Sequence, residues 1–241
     1  MESFRSADII SPVMTTILIA TRNKHKVEEI RAILGTQYQY LTLNDFPDAP
    51  KVVEDADTFA GNALKKAETL AQWLAKTQPA SAVIRRGFVL ADDSGLEVDA
   101  LEGAPGVYSA RFASLNNSEN SSDAANNSHL LELIKNVPIE KRTARFRCVI
   151  AWVPVPEAVL HNSSPVCYAP DAGRNTCDGA CEGRILDQPI GAGGFGYDPL
   201  FVPTGYSQSL GELGEDVKNR LSHRARALEK LRGGLLVGAK K

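Results

Sequence analysis

Two short apolar runs, each followed at once by polar and charged residues, constrain the fold of this chain most strongly. Residues Thr16–Ala20 precede the polar turn Thr21–Lys26, and Phe88–Ala91 precede Asp92–Gly95. Continuous apolar runs of this length that end in turn residues are typical of buried strands. Proteins with mixed sheets and helices often place ligand chemistry where such strands end. We therefore predict two buried strands, the second ending at Ala91, with a ligand site at their ends.

Helical spacing of apolar residues predicts three helical regions. The first follows Lys26 and ends near Gly35, a plausible C-cap. The second begins at Asp57 or Thr58 as N-cap, and the third is a helix or helix pair from about Glu215 to Leu231. Arg145–Trp152 alternates apolar and polar residues and is predicted to be a strand. Because no regular strand–helix–strand repeat emerges, we predict a mixed α/β (α+β) fold.

The predicted domain organisation is one domain at residues 14–241, preceded by an extension at residues 1–13. Ser114–Ser128 is rich in Asn and Ser, which predicts an exposed loop. Val153–Ala180 is long, contains proline and lacks periodicity, so it is predicted to be an irregular insertion, either a strand excursion or a flexible segment.

Charge and composition exclude several classes of protein. Lys and Arg number 27 against 29 Asp and Glu, a net charge of −2, which gives no basic excess for binding a nucleic acid duplex. No apolar stretch reaches the roughly 18 residues that a membrane span needs. The N-terminus carries Glu2, Arg5 and Asp8 before any apolar run, unlike a secretory signal, and four cysteines form no disulfide framework. We expect a cytoplasmic protein that binds neither nucleic acid nor membrane.

The turn Thr21–Lys26 is a candidate phosphate site. The N-terminus of a helix presents free N–H groups and partial positive charge. Thr21 and Asn23 add hydrogen-bonding groups, and Lys24 and Lys26 add positive charge. Lysines in a first helical turn oppose the helix dipole, which favours a bound anion. The alternative, a solvated basic turn capped by Asn23, remains open from the residues alone.

Adjacent carboxylates at Asp92 and Asp93 are a candidate cation site. Neighbouring acids repel, and they persist together where a cation lies beside them. Glu54 and Asp55 supply further hard oxygen ligands, which favours Mg²⁺ if a polyphosphate binds nearby. The alternative is an acidic turn with Gly95 at a positive φ.

The glycine-rich segment Gly191–Asp198 contains G-x-G-x-x-G, yet no preceding strand and following helix support a dinucleotide-binding motif. We interpret it as a backbone-lined pocket in which Phe195 or Tyr197 stacks on a base. An ordinary tight turn with a core Phe is the alternative.

Lys218–Arg224 forms the last candidate segment. Ser222 is predicted to cap a restarted helix, which places His223 and Arg224 in its first turn, where a cation requires an anionic partner. A structural role for His223 is the alternative. Cys177 and Cys181 lack the spacing of a zinc site.

Taken in order, these segments resemble the inosine triphosphate pyrophosphatase family. The resemblance extends from Thr16 to about Leu231. The matching motifs are Ala20–Lys26, Thr58–Ala67, Ala91–Asp99, Gly103–Arg111, Gly193–Phe201 and Ser222–Arg224.

The resemblance implies a long central mixed sheet, flanking helices and two lobes around a substrate cleft, in a homodimer. It implies hydrolysis of noncanonical purine nucleoside triphosphates, namely inosine, deoxyinosine and xanthosine triphosphates, to the monophosphate and pyrophosphate. Asp93 would accept the proton of the attacking water and would hold Mg²⁺ together with Glu54. The implied substrate-binding residues are Thr21, Arg22, Asn23, Lys24, His25, Lys26, Ser94, Phe195, Gly196, Tyr197, Asp198, Lys218, His223 and Arg224.

Val52–Asp57 departs from the pattern of the family, so Asp55 remains an alternative to Glu54 as metal ligand. Two other functions remain open: a pyrophosphatase of another modified nucleotide, and a nucleotide-binding module without turnover. For base recognition, we predict that Arg224 donates to the 6-oxygen of the purine and that His223 helps to place it.

Overall fold

One mixed sheet of six strands forms the centre of the computed structural model, which describes residues 14–78, 87–114, 119–156 and 176–238. The strands are β1 (Thr16–Ile19), β2 (Gln39–Thr42), β3 (Phe88–Val98), β4 (Thr143–Pro154), β5 (Thr176–Ile185) and β6 (Phe201–Pro203). Their order across the sheet is β2-β1-β3-β4-β5-β6. β1 pairs in parallel with β2 and β3, and the pairs from β3 to β6 are antiparallel. The predicted class, a mixed sheet with flanking helices, is confirmed.

Among the described residues, five α-helices flank the sheet: α1 (Lys24–Leu34), α2 (Phe59–Thr77), α3 (Asp123–Ile134), α4 (Glu215–Leu221) and α5 (His223–Gly238). Three of them begin where capping residues predict. The side chains of Asn23, Thr58 and Ser222 accept hydrogen bonds from the third backbone N–H after each of them. Within the described ranges, no helix combines the length and the apolar character needed to cross a bilayer.

The core is divided into two lobes that share β3 and β4. In the first lobe, α2 packs on one face of the sheet through Ala63, Ala67 and Leu70, and α1 and α5 cover the other face through Ile30 and Leu228. In the second lobe, the far end of β3 packs with β5, β6 and α3; its core includes Leu96, Val98, Phe146, Ile185 and Leu130. Asp92–Ser94 lie in the middle of β3, where the two lobes meet.

The prediction that β3 ends at Ala91 is wrong. The strand continues through Asp92 and Asp93 to Val98, paired with β4 along its whole length. The buried Asp92 carboxylate is tolerated in the strand because cations from other elements compensate its charge, as described below.

The predicted loop Ser114–Ser128 is also wrong in its second half, where α3 begins at Asp123. Ser122 caps this helix by accepting from the Ala125 N–H at 3.2 Å. Asn126, which is buried, accepts from the Ala113 N–H at 2.9 Å. Asn and Ser that are typical of loops here satisfy backbone groups at the start of a helix.

The predicted irregular insertion is shorter than Val153–Ala180. β4 includes Val153 and Pro154, and β5 begins at Thr176, so both strands extend into it. Residues 157–175 of this segment, like the predicted extension at residues 1–13, lie outside the described residues.

Candidate active site

A cavity lies at the junction of the two lobes. Ten of the predicted site residues line it: Asn23, Lys26, Ser94, Phe195, Gly196, Tyr197, Asp198, Lys218, His223 and Arg224. These residues come from the start of α1, the middle of β3, the glycine-rich segment, α4 and the start of α5. The fold therefore brings together candidate segments that are far apart in the sequence.

The other predicted residues lie around this cavity rather than along its wall. Thr21 supports the turn, since its Oγ1 accepts from the Asn23 N–H at 3.1 Å. Arg22 is exposed, and Lys24 pairs with Glu28 at 3.6 Å on the surface of α1. His25 stacks on Phe195 with 5.5 Å between ring centres, so it contacts the cavity through that ring.

Asp92 accepts contacts from several cations and donors on the cavity side of β3. Its Oδ1 contacts the Lys26 ammonium and accepts from Ser94 Oγ at 3.1 Å. Its Oδ2 accepts from Arg224 Nε at 2.9 Å and from the Cys148 thiol at 3.1 Å. Burial favours the protonated form, but the charges of Arg224 and Lys26 hold the pKa of Asp92 well below its usual value. Asp92 is therefore a permanent anion.

Asp93 points to the opposite face of β3, towards α2, and its environment differs. Burial raises the pKa of Asp93 to about 6, although the charges of Lys66 and Lys26 lower it, and the nearby Glu54 raises it further. Asp93 Oδ2 is buried and has no hydrogen-bond partner among the described residues. A carboxylate with this pKa and a vacant lone pair can accept a proton near neutral pH.

Glu54, and not Asp55, faces the same space as Asp93. Glu54 pairs with Lys66 at 3.0 Å, and its charge acts on Asp93. Asp55 is exposed and pairs with Lys65 on the surface of α2. Of the two carboxylates that the sequence left as alternatives, Glu54 is therefore the one that lies beside Asp93.

The donor set at Glu54 and Asp93 fits a divalent cation. Mg²⁺ prefers oxygen ligands and binds through one or two carboxylates together with water and substrate phosphates. No group of three or more His, Cys, Asp and Glu suited to hold a metal ion occurs in the described part of the chain. A two-carboxylate site that a phosphate completes is therefore the arrangement these residues support, and the unpaired Asp93 Oδ2 is consistent with it.

The glycine-rich segment presents Phe195 to the cavity. Asp198 Oδ2 accepts from the Phe195 N–H at 2.8 Å and from Lys218 Nζ at 2.7 Å, which fixes the backbone beside the ring. Gly194 has φ +74°, and a Cβ there would lie 2.2 Å from Asp198 Oδ2, so only glycine fits. Tyr197 is buried and donates to the Ser109 carbonyl at 2.9 Å. Phe195, on which His25 stacks, is thus the more exposed of the two rings at the cavity.

His223 and Arg224 enter the cavity from the first turn of α5. Burial, together with the charge of Arg224, holds the pKa of His223 well below its usual value, so the imidazole is neutral. His223 Nδ1 has no partner among the described residues. Four of the five N–H groups of Arg224 bond to Asp92, Glu29 and Ser94, which leaves one Nη1–H without a bond in the described structure.

Sequence reasoning missed three residues that organise this site: Lys66, Asn62 and Glu29. Asn62 and Lys66 lie one turn apart on α2, and Lys66 Nζ also donates to the Asp92 carbonyl at 3.1 Å. The signal was available, because both residues flank the buried stripe of Ala63 and Ala67 and lie within a motif of the family resemblance. Glu29 gave no such signal, since a carboxylate on an amphipathic helix is ordinarily a surface residue.

Comparison with known proteins agrees with this fold. The chain is 48% identical over 223 residues to a dITP/XTP pyrophosphatase of Geobacter sulfurreducens, which covers 92% of this chain and 97% of the relative. It is 43% identical over 221 residues to a dITP/XTP pyrophosphatase of Shouchella clausii, with 91% and 96% covered.

Solved structures show the same fold. A HAM1 protein from Coxiella burnetii superimposes with a TM-score of 0.71 at 32% identity, over 92% of this chain and 99% of that one. Residues 17–233, which hold every segment that contributes to the cavity, match the sequence profile of the Ham1 family. The chain, whose two-lobed sheet and cavity-lining segments all fall within that match, belongs to the Ham1 family.

Proposed function

We propose that this chain hydrolyses noncanonical purine nucleoside triphosphates, namely inosine, deoxyinosine and xanthosine triphosphates, to the monophosphate and pyrophosphate. The names of the relatives, dITP/XTP pyrophosphatases, support this activity. The observation in the molecule that carries it is Asp93, a buried carboxylate with a pKa of about 6 beside two lysines and a second carboxylate. Such a group suits proton abstraction from water next to a polyanionic substrate.

The phosphate end of the site is formed by the start of α1, Lys66 and the pair Glu54 and Asp93. Attack between the α and β phosphates requires charge neutralisation on both sides of the bond that breaks. Lys26 reaches from α1 towards β3, and Lys66 reaches from α2 towards the same strand. In this mechanism Asp93 takes the proton of the attacking water, and the two lysines stabilise the charge that develops on the phosphates.

Glu54 and Asp93 would hold Mg²⁺. When bound, the ion neutralises phosphate charge and polarises the phosphoryl oxygens. The loop that carries Glu54 is fixed from the second lobe, since Arg111 Nη2 donates to the Glu54 carbonyl at 3.3 Å.

The base end of the site is the cavity between Phe195, His223 and Arg224. Hypoxanthine and xanthine present an oxygen acceptor at C6 and an N–H donor at N1, whereas adenine presents the opposite pair. Two groups offer polar contacts for the C6 oxygen and the N1–H of hypoxanthine and xanthine: the remaining Nη1–H of Arg224 and the unpaired Nδ1 of His223. A buried polar group left unpaired costs about 1–3 kcal/mol, which disfavours adenine.

A substrate panel tests the proposal. The protein is incubated with inosine, xanthosine, adenosine and guanosine triphosphates and Mg²⁺, and pyrophosphate release is measured. We expect release from the first two in large excess over the last two. Release of orthophosphate and diphosphate instead would contradict cleavage between the α and β phosphates.

The same panel distinguishes the two alternatives. Turnover confined to a modified pyrimidine triphosphate would identify a pyrophosphatase of another nucleotide. Saturable binding of inosine triphosphate with no pyrophosphate release would identify a binding module. The desolvated Asp93 favours an enzyme, because simple binding gains nothing from a carboxylate held at a raised pKa near phosphates.

Several features stay predictions: the homodimer, the choice of Mg²⁺ among divalent ions, the cytoplasmic location, a single domain, and the absence of nucleic acid and membrane partners. Light scattering of the purified protein measures whether it forms a dimer. Activity in Mg²⁺, Mn²⁺ and Ca²⁺ after treatment with a chelator measures the choice of ion.

A further inference from the structure

Six side chains of alternating charge, five of them buried and Lys26 partly exposed, touch one another in an unbroken line beside the cavity. In order, they are Lys26, Asp92, Arg224, Glu29, Lys218 and Asp198. Three cations and three carboxylates balance, so the line carries no net charge. It begins at the phosphate end of the cavity and ends beneath the glycine-rich segment at the base end. We call these residues the ion line.

Glu29 lies on α1, as Lys26 does, but unlike Lys26 it does not line the cavity. Its Oε1 lies 2.6 Å from Lys218 Nζ, and its Oε2 contacts Arg224 Nη1. Glu29 is thus the one member of the ion line that bridges these two cations, which belong to different helices, α4 and α5. Burial opposes its ionisation, but the charges of Arg224 and Lys218 lower the pKa of Glu29, so it is ionised at neutral pH.

The two cations that Glu29 joins face the ring proposed to stack on the base. Lys218 Nζ lies 4.5 Å from the centre of the Phe195 ring, and Arg224 Cζ lies 5.8 Å from it. Glu29 also lies three residues after Lys26 on α1, so the two side chains share one side of that helix. Glu29 therefore links Lys218 and Arg224, at the base end of the cavity, to α1, the helix that carries Lys26 at the phosphate end.

We propose that Glu29 is a positioning residue that sets the spacing of Lys218 and Arg224 relative to the phosphate-binding start of α1. The inference rests on the proposed function. Without the carboxylate, two neighbouring buried cations would repel each other and lose a fixed partner. Donors that must reorganise when substrate binds contribute less than donors already in place. Loss of Glu29 should therefore impair recognition of the base more than binding of the phosphates.

Glu29→Gln tests this role, because it keeps the shape of the side chain and removes its charge. The matched control is Glu28→Gln, the exposed neighbour on the same helix. We would measure kcat and KM for inosine triphosphate, and the inhibition constant of inorganic tripolyphosphate, which has the phosphates but no base. For Glu29→Gln we expect KM to rise by about 10-fold or more, the size of one charge-assisted hydrogen bond, while the inhibition constant stays within about twofold. Glu28→Gln should match the wild type.

A purely structural role would instead reduce the fraction of active protein, lowering kcat while leaving KM and the inhibition constant unchanged, and that result would overturn the proposal. An equal rise in the KM for inosine triphosphate and in the inhibition constant of tripolyphosphate would overturn the proposal as well. If Glu29→Gln does not fold, Glu29→Asp takes its place, because it keeps the charge but shortens the reach; a wild-type KM in that variant would contradict the role.

Wild-type protein that releases no pyrophosphate contradicts the proposed function, whereas an active wild type with an indistinguishable Glu29→Gln contradicts only this inference.

Discussion

Asp92 and Asp93 are consecutive residues of β3, yet they face opposite sides of the sheet and have pKa values shifted in opposite directions. Alternation along a strand sends Asp92 towards α1 and α5 and Asp93 towards α2. Asp92 meets two cations in direct contact and stays ionised, whereas burial raises the pKa of Asp93 to about 6. One strand thus supplies, at adjacent positions, a buried carboxylate that stays ionised and the carboxylate that we propose as proton acceptor.

Asp93→Asn should abolish most turnover and also stabilise the fold. The pKa of Asp93 rises from 3.8 to about 6 on folding, so the ionised form is disfavoured in the native state. A rise of this size corresponds to a loss of at most about 3 kcal/mol in the free energy of unfolding. A carboxyl group whose pKa is raised in the folded state lowers the free energy of unfolding above pH 6, where it is ionised in both states. It has no such effect at a pH below its pKa in the unfolded chain. The gain from Asp93→Asn should therefore be present at pH 8 and absent near pH 3.5.

Urea denaturation of both proteins in chelator at the two pH values measures this difference. Equal stability at pH 8 would show that the carboxylate is not desolvated. Pyrophosphate release within a few-fold of wild type would remove Asp93 from the proposed mechanism, since general-base catalysis contributes about 10²–10⁴-fold.

Lys66 should be required for turnover while its neighbour Lys65 is not. Lys66 is largely buried, lies 3.0 Å from Glu54 and donates to the Asp92 carbonyl. Lys65 pairs with Asp55 on the surface, where an ion pair contributes little. We expect Lys66→Met to lower kcat/KM for inosine triphosphate by about 10-fold or more, the effect of losing a hydrogen bond from a charged group. Lys65→Met should change it by no more than about twofold.

Glu54→Gln should weaken the response to Mg²⁺, and Asp55→Asn should not. Glu54 shares its space with Asp93, whereas Asp55 faces Lys65. One lost charged ligand corresponds to an increase of about 10- to 100-fold in the Mg²⁺ concentration for half-maximal activity. Titrating Mg²⁺ at fixed substrate measures it, and the reverse pattern would assign the ligand to Asp55.

Features set by neighbouring residues could be predicted from the sequence. The caps at Asn23, Thr58 and Ser222 each depend on a side chain and a backbone group three residues away, so the start of each helix is a local property. The apolar run of β1 is similarly local. The glycine-rich segment was predicted as a pocket wall because its context contradicted the motif that it contains.

Features set by distant partners could not be predicted. β3 continues through Asp92 because Lys26 and Arg224, 66 and 132 residues away, compensate its charge. Similarly, the Asn-rich start of α3 is stabilised by contacts to other segments: Asn127 Nδ2 donates to the Gly196 carbonyl, 69 residues away. Composition alone assigns such a segment to a loop. Charge compensation across the fold carries no signal in a local pattern.

Arg224→Lys should narrow the preference for inosine over adenosine triphosphate while leaving the protein folded. Arg224→Ala would leave Asp92 and Glu29 buried without their shared cation, a loss of about 3–5 kcal/mol that confounds any measurement of selectivity.

Lysine keeps the positive charge but not the planar fork of donors that joins Asp92, Ser94 and Glu29. The remaining Nη1–H, which we propose contacts the base, is lost, so kcat/KM for inosine triphosphate should fall by about 10-fold or more. Adenosine triphosphate gains nothing from that donor, and its kcat/KM should change by no more than a few-fold. Equal losses for the two substrates would show that Arg224 holds the ion line together and that the base is recognised by other groups.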